Sequence, residues 1–207
     1  MVLDGAVDPA NSNEELTAGQ ARAFERALRT YVASCQGQQQ CPLSGSVDNG
    51  VQEIRDLINA VDQNPQTAKD GRLVTANDFV NGLILPPLYN DQSWPALTQA
   101  LESAFSGDVS QMMRLADLGA DRDPNGTYSS NSAFAFQAIN CLDYPMVTDT
   151  AGMRAEEVRL LQDSPHIRCV LRLRRCHLQG LALRQHPHAG TGGIQRICAH
   201  RGGGHHW

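Results

Sequence analysis

The first 165 residues of this chain contain no histidine, because all seven histidines follow Pro165. A Ser-His-Asp triad therefore cannot be assembled within residues 1–165. The chain also lacks the Gly-x-Ser-x-Gly pattern that carries the nucleophile in many serine hydrolases. Its apolar runs fall short of the roughly 18 residues that a membrane-spanning helix needs, so we expect no membrane insertion.

Residues 166–207 lack Asp, Glu, Lys, Phe and Tyr. All 22 acidic residues precede this tail, so residues 1–165 are acidic, which argues against nucleic acid or an anionic membrane as a partner. The tail contains side chains that could bind a metal, but it has no carboxylates to orient them and little apolar patterning to hold them in place. We therefore predict neither a metal site nor a cofactor. These ligands are His186, His188, Cys198, His200, His205 and His206.

Residues 1–9 predict a short buried strand that runs into a turn at Asp8-Pro9. The chain shows no basic segment followed by an apolar stretch, and hence no signal peptide. We expect Met1 to be an internal methionine of a longer protein. Asp4, at the end of the strand, is more typical of a turn or cap residue than of a catalytic one.

Beyond this strand the pattern is helical. Ser12 or Asn13 can cap a helix whose first turn contains Glu14 and Glu15, where carboxylates interact favourably with the helix dipole. Apolar residues then recur at three- and four-residue spacing as far as Val32. No two-residue alternation follows, so the chain is predicted to be mainly α. Loops are predicted over 64–72 and 121–127, and further helices over 48–61, 75–85, 93–105, 108–118, 132–142 and 151–162.

Cys35 and Cys41 flank a polar segment, residues 36–40, after the first predicted helix. A disulfide here would close a short loop and imply an oxidising compartment, whereas two free thiols would suit a reducing one. The spacing is not that of a zinc site, which usually has a Cys-x₂₋₄-Cys pair and a second pair of ligands. The residues alone leave the disulfide and the free thiols as alternatives.

The main aromatic residues are expected to belong to the core. Residues at helical spacing are more often packed in a core than arranged as a cage around a ligand. The alternative is that these aromatic residues line the inner face of an active-site lid. The residues concerned are Tyr89, Trp94, Tyr128, Phe134 and Phe136.

Five segments form an ordered set: residues 1–9 (MVLDGAVDP), 35–43 (ending CPL), 90–97 (NDQSWPAL), 123–128 (DPNGTY) and 138–143 (AINCLD). Together they resemble the tripeptidyl aminopeptidase-like α/β-hydrolases, secreted bacterial serine exopeptidases related to prolyl aminopeptidase. The resemblance covers residues 1–165. It implies that residues 1–9 are a remnant of the hydrolase core, and that residues 10–165 are its helical cap, or lid. It also favours a disulfide between Cys35 and Cys41.

The resemblance further implies that the catalytic Ser would precede this chain and that the catalytic Asp and His would follow it. After a Ser-Pro pair such as Ser164-Pro165, a Cys, an aromatic-Pro pair and Arg-Thr would be expected. As written, residues 166–207 contain cysteines but neither the aromatic-Pro pair nor Arg-Thr. When the tail is back-translated and read one nucleotide later, its possible codons can encode different peptides. These are FGAYFAYG for residues 167–174, GATCKDWPFANTR for residues 175–188 and TVVVGTT for residues 200–207. We therefore expect residues 166–207 to be a frameshifted, non-native tail, irregular or disordered.

The parent protein implied by the resemblance is a serine exopeptidase, extracellular or in the cell envelope, that releases tripeptides from free N-termini. Its partner would be a peptide substrate, and this chain alone, a fragment without the triad, would be inactive. An acidic cap suits the cationic α-ammonium of that substrate. Asp143 is a candidate contact for this group, and a solvent-facing cap or loop residue is the alternative. Two other functions stay open: a free-standing helical binding protein, and the cap of an esterase or a prolyl aminopeptidase.

Overall fold

The computed structural model describes residues 2, 8, 10–84, 86–143 and 150–163. These residues are mainly α-helical, as predicted. Apart from Val2 and Asp8, the predicted strand at residues 1–9 lies outside the described residues, and so does the tail, residues 166–207.

The predicted helices are all present, with ends displaced by at most a few residues. In chain order the elements are α1 Asn13–Gln36, α2 Val47–Gln63, β1 Gln66–Thr67, β2 Leu73–Val74, α3 Ala76–Ile84, a 3₁₀ turn Asp91–Ser93, α4 Trp94–Phe105, α5 Ser110–Gly119, α6 Ser132–Asp143 and α7 Thr150–Asp163. None of the described helices is both long and apolar enough to span a membrane.

Residues 64–72 form the predicted loop except at Gln66 and Thr67, which make up β1. β1 and β2 form an antiparallel hairpin in which Gln66 pairs with Val74 and Thr67 pairs with Leu73. Two residues per strand are too few for a period-two pattern to emerge from the sequence. Cys35 also lies within the last turn of α1 rather than beyond the end of the helix.

Side-chain caps determine where two of the helices begin. The Ser12 hydroxyl accepts a hydrogen bond from the Glu15 amide at 3.2 Å, and the Ser12 amide donates to the Glu15 carboxylate at 2.7 Å. At α3 the Thr75 amide donates to the Asp78 carboxylate at 3.0 Å, and the Asp78 amide donates back to the Thr75 hydroxyl at 3.3 Å. Each pair satisfies amide groups that the first turn of a helix leaves without a partner.

Among the described side chains, the main buried core is built from α1 to α5 and the segments that join them. The backbones of α3 and α5 approach closely at Gly82, because a Cβ atom placed there would lie 2.3 Å from the Met112 carbonyl oxygen. Only glycine permits this contact. The largest fully buried residues are Tyr31, Phe79, Leu28, Ile54, Leu83, Ile84, Leu97, Leu101 and Met112.

Helices α6 and α7 contribute none of their described side chains to that core. An ion pair between Arg159 of α7 and Glu14 of α1 joins the two ends of the described chain. Val158 on α7 is 53% exposed. The first five helices are therefore a packed body, and α6 and α7 present apolar groups at its surface.

Candidate functional site

Helix α6 carries one stripe of exposed side chains that combines apolar groups with a carboxylate. Phe136 is 50% exposed and Ile139 is 54% exposed, and Asp143, the last residue of the helix, is also exposed. The spacings of three and four residues place all three side chains on the same side of the helix. The stripe therefore runs from an aromatic ring through an aliphatic group to a negative charge.

The described end of α6 carries a carboxylate and no basic side chain. The C-terminus of a helix carries about half a negative charge from its unpaired carbonyl groups. No basic residue lies in the last turn of α6 to offset it, and Asp143 adds a full negative charge. A carboxylate at this position opposes the helix dipole, so it contributes nothing to helix stability and favours a cation beside it.

Asp143, the residue predicted from the sequence, thus lies at the end of α6 and is accessible to a ligand. Its role in binding an α-ammonium group stays a prediction. Sequence reasoning missed Phe136 and Ile139 as its neighbours on the stripe. Their spacing relative to Asp143 was visible, but spacing alone does not tell whether a helix face is buried or exposed.

The described residues hold no catalytic constellation of the kind a serine hydrolase needs. Histidine is absent from all of them, since the seven histidines begin at His166. Within the same ranges, no group of three or more His, Cys, Asp or Glu side chains is arranged to hold a metal ion.

The prediction that Trp94 belongs to the core is confirmed. Its ring meets the ring of Tyr31 edge to face at 5.8 Å between centroids, and its Nε1 donates to the Pro87 carbonyl at 3.1 Å. The Tyr31 hydroxyl lies 3.0 Å from the Thr98 hydroxyl, and burial raises the pKa of Tyr31 to about 12. These residues stabilise the contact between α1 and α4.

The same prediction was wrong for Tyr89, Tyr128 and Phe136, which are at least half exposed. Tyr89 follows α3 and touches only the edge of the Phe24 ring, at 5.4 Å between centroids. Tyr128 lies in the loop before α6, where helical spacing has no bearing on burial. The side chain of Phe134 lies outside the described part of the chain.

Cys35 and Cys41 form a disulfide, with 5.2 Å between their Cα atoms. The bond joins the last turn of α1 to the segment that leads into α2. The structure has the first of the two alternatives that the residues alone left open. The bond links α1 to the segment before α2 and takes no part in the α6 stripe.

The loop before α6 is ordered by its own carboxylates. Hydrogen bonds from the hydroxyls of Ser130 and Ser132 lower the pKa of Asp121, and the Thr127 amide donates to the Asp123 carboxylate at 2.8 Å. These contacts set the direction in which the chain enters α6. The loop therefore positions the exposed stripe, and its acidic groups accept hydrogen bonds from other residues of the loop.

No family model matches this chain. It is 35% identical over 168 residues to a protein of Mycobacterium tuberculosis named carboxylesterase B, a match that covers 81% of this chain and 32% of the relative. It is 34% identical over 172 residues to serine protease Hip1 of the same organism, covering 80% of this chain and 33% of the relative. The chain spans about a third of the length of these curated relatives, and it is related to bacterial hydrolases.

Proposed function

We propose that this chain is the helical cap of an α/β-hydrolase, the part that closes over the substrate cleft of a serine exopeptidase. The parent enzyme removes tripeptides from the free N-termini of peptides. The observation that carries the proposal is the combination of a mainly helical chain with relatives named carboxylesterase or protease, of which the chain matches only about a third. A cap is a separate helical body, whereas the catalytic groups belong to the rest of the enzyme.

The chemistry of the parent is acyl transfer. A Ser hydroxyl attacks the scissile carbonyl, a His accepts its proton and returns it to the leaving amine, and an Asp orients the imidazole. Residues 1–165 cannot supply the His, because they contain no histidine, and the resemblance implies that the Ser precedes this chain and that the Asp follows it. The task of the cap is to exclude water and to limit access to the end of a peptide chain.

We also propose that residues 166–207 are an out-of-frame translation of the segment that leads back to the catalytic domain. The composition of this tail, with seven histidines and no acidic residue, supports the proposal. The match to carboxylesterase B covers 81% of this chain, so the uncovered fraction is the size of the tail. The three shifted peptides named above provide the pattern that the native frame would encode.

A location outside the cytoplasm follows from the same proposal. The Cys35–Cys41 disulfide is typical of proteins in oxidising compartments, because cytosolic thiols are kept reduced. We propose that the parent is extracellular or held in the cell envelope. Alkylation of free thiols in cells, followed by mass spectrometry of the peptide containing both cysteines, tests the redox state directly.

One specific observation favours a second function, since one relative is named carboxylesterase B. The parent would then be an esterase that uses the same Ser-His-Asp chemistry on an ester carbonyl. The nucleotide sequence of the locus and the protein made from its restored frame separate the two functions. The exopeptidase cleaves a chromogenic tripeptide with a free amine far faster than short acyl esters, and the esterase shows the reverse preference.

A further inference from the structure

The chain contains three Asn-Gly pairs, and the structure places one of them outside a helix. Asn49-Gly50 lies in α2 and Asn81-Gly82 lies in α3. Asn125-Gly126 lies in the loop between α5 and α6, where the asparagine side chain is exposed. An asparagine followed by glycine can react with its own backbone, because glycine has no Cβ atom to shield the next amide nitrogen. The three pairs therefore share one chemistry and differ in their surroundings.

The pair in the loop belongs to a tight turn that requires glycine. The Gly126 amide donates a hydrogen bond to the Asp123 carbonyl at 3.0 Å. Gly126 has a φ of +87°, at which an L side chain is strained, and a Cβ atom placed there would lie 2.9 Å from Nη2 of Arg122. The fold of this loop therefore keeps glycine after Asn125.

The helical backbone opposes the same reaction at the other two pairs. The Gly50 amide donates to the Ser46 carbonyl at 3.0 Å, and both Gly50 and Gly82 are buried. Their amide nitrogens can reach the preceding side chain only if the helix opens, which the core packing of α2 and α3 resists. In the loop, only the hydrogen bonds of one exposed turn must open. Asn49 is itself exposed, so exposure alone does not separate it from Asn125.

We infer that Asn125 is a site of spontaneous deamidation, modified faster than Asn49 and Asn81 in the folded chain. The Gly126 amide nitrogen attacks Cγ of Asn125 and the bond from Cγ to Nδ2 breaks. The side-chain amide leaves as ammonia, which takes the proton of the Gly126 amide. Water then opens the cyclic imide at either carbonyl, giving aspartate or iso-aspartate. The co-reactant is water, and the inference does not depend on the proposed function.

The two products change the loop that precedes α6. Either one adds a negative charge to a loop that already contains Asp121 and Asp123. Iso-aspartate also lengthens the main chain by a carbon atom between Asp123 and Thr127. The Asp123 amide donates to the Thr127 carbonyl at 2.8 Å, and the Thr127 amide donates to the Asp123 carboxylate at 2.8 Å. The longer main chain should break this closure and alter the direction in which the chain enters α6.

The test follows the full, folded chain during incubation at mildly alkaline pH, where loss of the amide proton speeds the attack. Peptide mass spectrometry measures deamidation at each of the three asparagines. Asn125 should be modified at least about tenfold faster than Asn49 or Asn81, a difference of about 1.4 kcal/mol in the cost of freeing the amide. In urea the three rates should converge, because each asparagine is followed by glycine and no helix remains.

Two variants complete the experiment. Asn125→Gln should abolish modification at this position, because a longer side chain must close a larger ring, and the matched control Asn49→Gln should leave the rate at Asn125 unchanged. Asn125→Asp adds the charge without lengthening the main chain, so its α6 amide chemical shifts should differ from those of the aged chain. No modification at Asn125, equal rates at the three sites in the folded chain, or a tenfold gap that persists in urea would overturn the inference. Identical α6 shifts in the two samples would refute the effect on that helix.

Discussion

Arg72, at the start of the returning strand of the hairpin, donates two parallel hydrogen bonds to the carboxylate of Asp117 in α5, at 2.8 and 2.6 Å. The same guanidinium also bonds to Asp70 within the hairpin turn, at 2.8 Å. This contact joins residues that are 45 positions apart. It fixes the hairpin against the helix that packs on α3.

Arg72→Ala should lower the free energy of unfolding by about 2 kcal/mol, because it removes a paired hydrogen bond and leaves the mostly buried Asp117 carboxylate with a weaker partner. The matched control is Arg29→Ala, which breaks an exposed ion pair with Asp48 and should change stability by less than about 1 kcal/mol. Urea unfolding followed by circular dichroism measures both. Equal effects would show that the Arg72 pair is no stronger than a surface pair.

Gly82→Ala should destabilise the protein by about 1–3 kcal/mol, since the new methyl group would collide with the Met112 carbonyl and force α3 away from α5. Gly19→Ala provides the opposite case within α1. Nothing lies within 4 Å of a Cβ atom at that position, so alanine should stabilise the helix by about 0.5–1 kcal/mol. Thermal unfolding of the two variants should show shifts of opposite sign, and shifts of the same sign would contradict the close approach at Gly82.

Cys35→Ala together with Cys41→Ala should lower the free energy of unfolding by about 2 kcal/mol, because the short disulfide loop no longer restricts the unfolded chain. Cys141→Ala removes a cysteine outside this disulfide and is the control. A reducing agent should destabilise the unaltered chain and the Cys141 variant alike, and leave the double variant unchanged. Insensitivity of the unaltered chain to reduction would contradict a stabilising role for the bond.

Stability should decline in acid. Hydrogen bonds from Arg72 lower the pKa of Asp70, those from Lys69 lower the pKa of Asp108, and those from Ser130 lower the pKa of Asp121. Each pKa in the folded protein lies below the ordinary value of an aspartate, so the stabilisation is present at neutral pH and is lost as pH falls below about 4.

The melting temperature, measured at successive pH values, should therefore stay level between about pH 7 and 5 and fall below about pH 4. Lys69→Met should make this fall shallower, because it removes the hydrogen bond from Lys69, which contributes most to the lowered pKa of Asp108. Arg29→Met, at an ion pair away from Asp108, is the control. A melting temperature that rises in acid would contradict the folded pKa directions.

The helices could be predicted from the sequence because their signals are local. Ser12 caps α1 and the apolar residues Phe24, Leu28 and Val32 follow at helical spacing, and all of them take the predicted positions. The hairpin and the Arg72–Asp117 pair depend on residues far apart in the chain, and periodicity does not register such contacts. The predicted burial of the aromatic residues was wrong for a related reason, because burial depends on which helices pack together.

The candidate site was predicted only in part. Asp143 was selected for its charge, and the structure places it at the exposed end of α6. Its apolar neighbours on the stripe emerge only when the exposed fractions of Phe136 and Ile139 are known. The catalytic residues expected of the parent cannot be located on a chain that lacks histidine before residue 166.

The decisive experiment is hydrolysis of a chromogenic tripeptide, free or acetylated at its amine, by two purified proteins. This chain should show no turnover, because its first 165 residues lack histidine. The protein made from the whole locus with the shifted frame restored should cleave the free tripeptide and not the acetylated one. Turnover that stays with this chain through stringent purification, or a restored protein that cleaves only acetylated peptides or esters, would contradict the account.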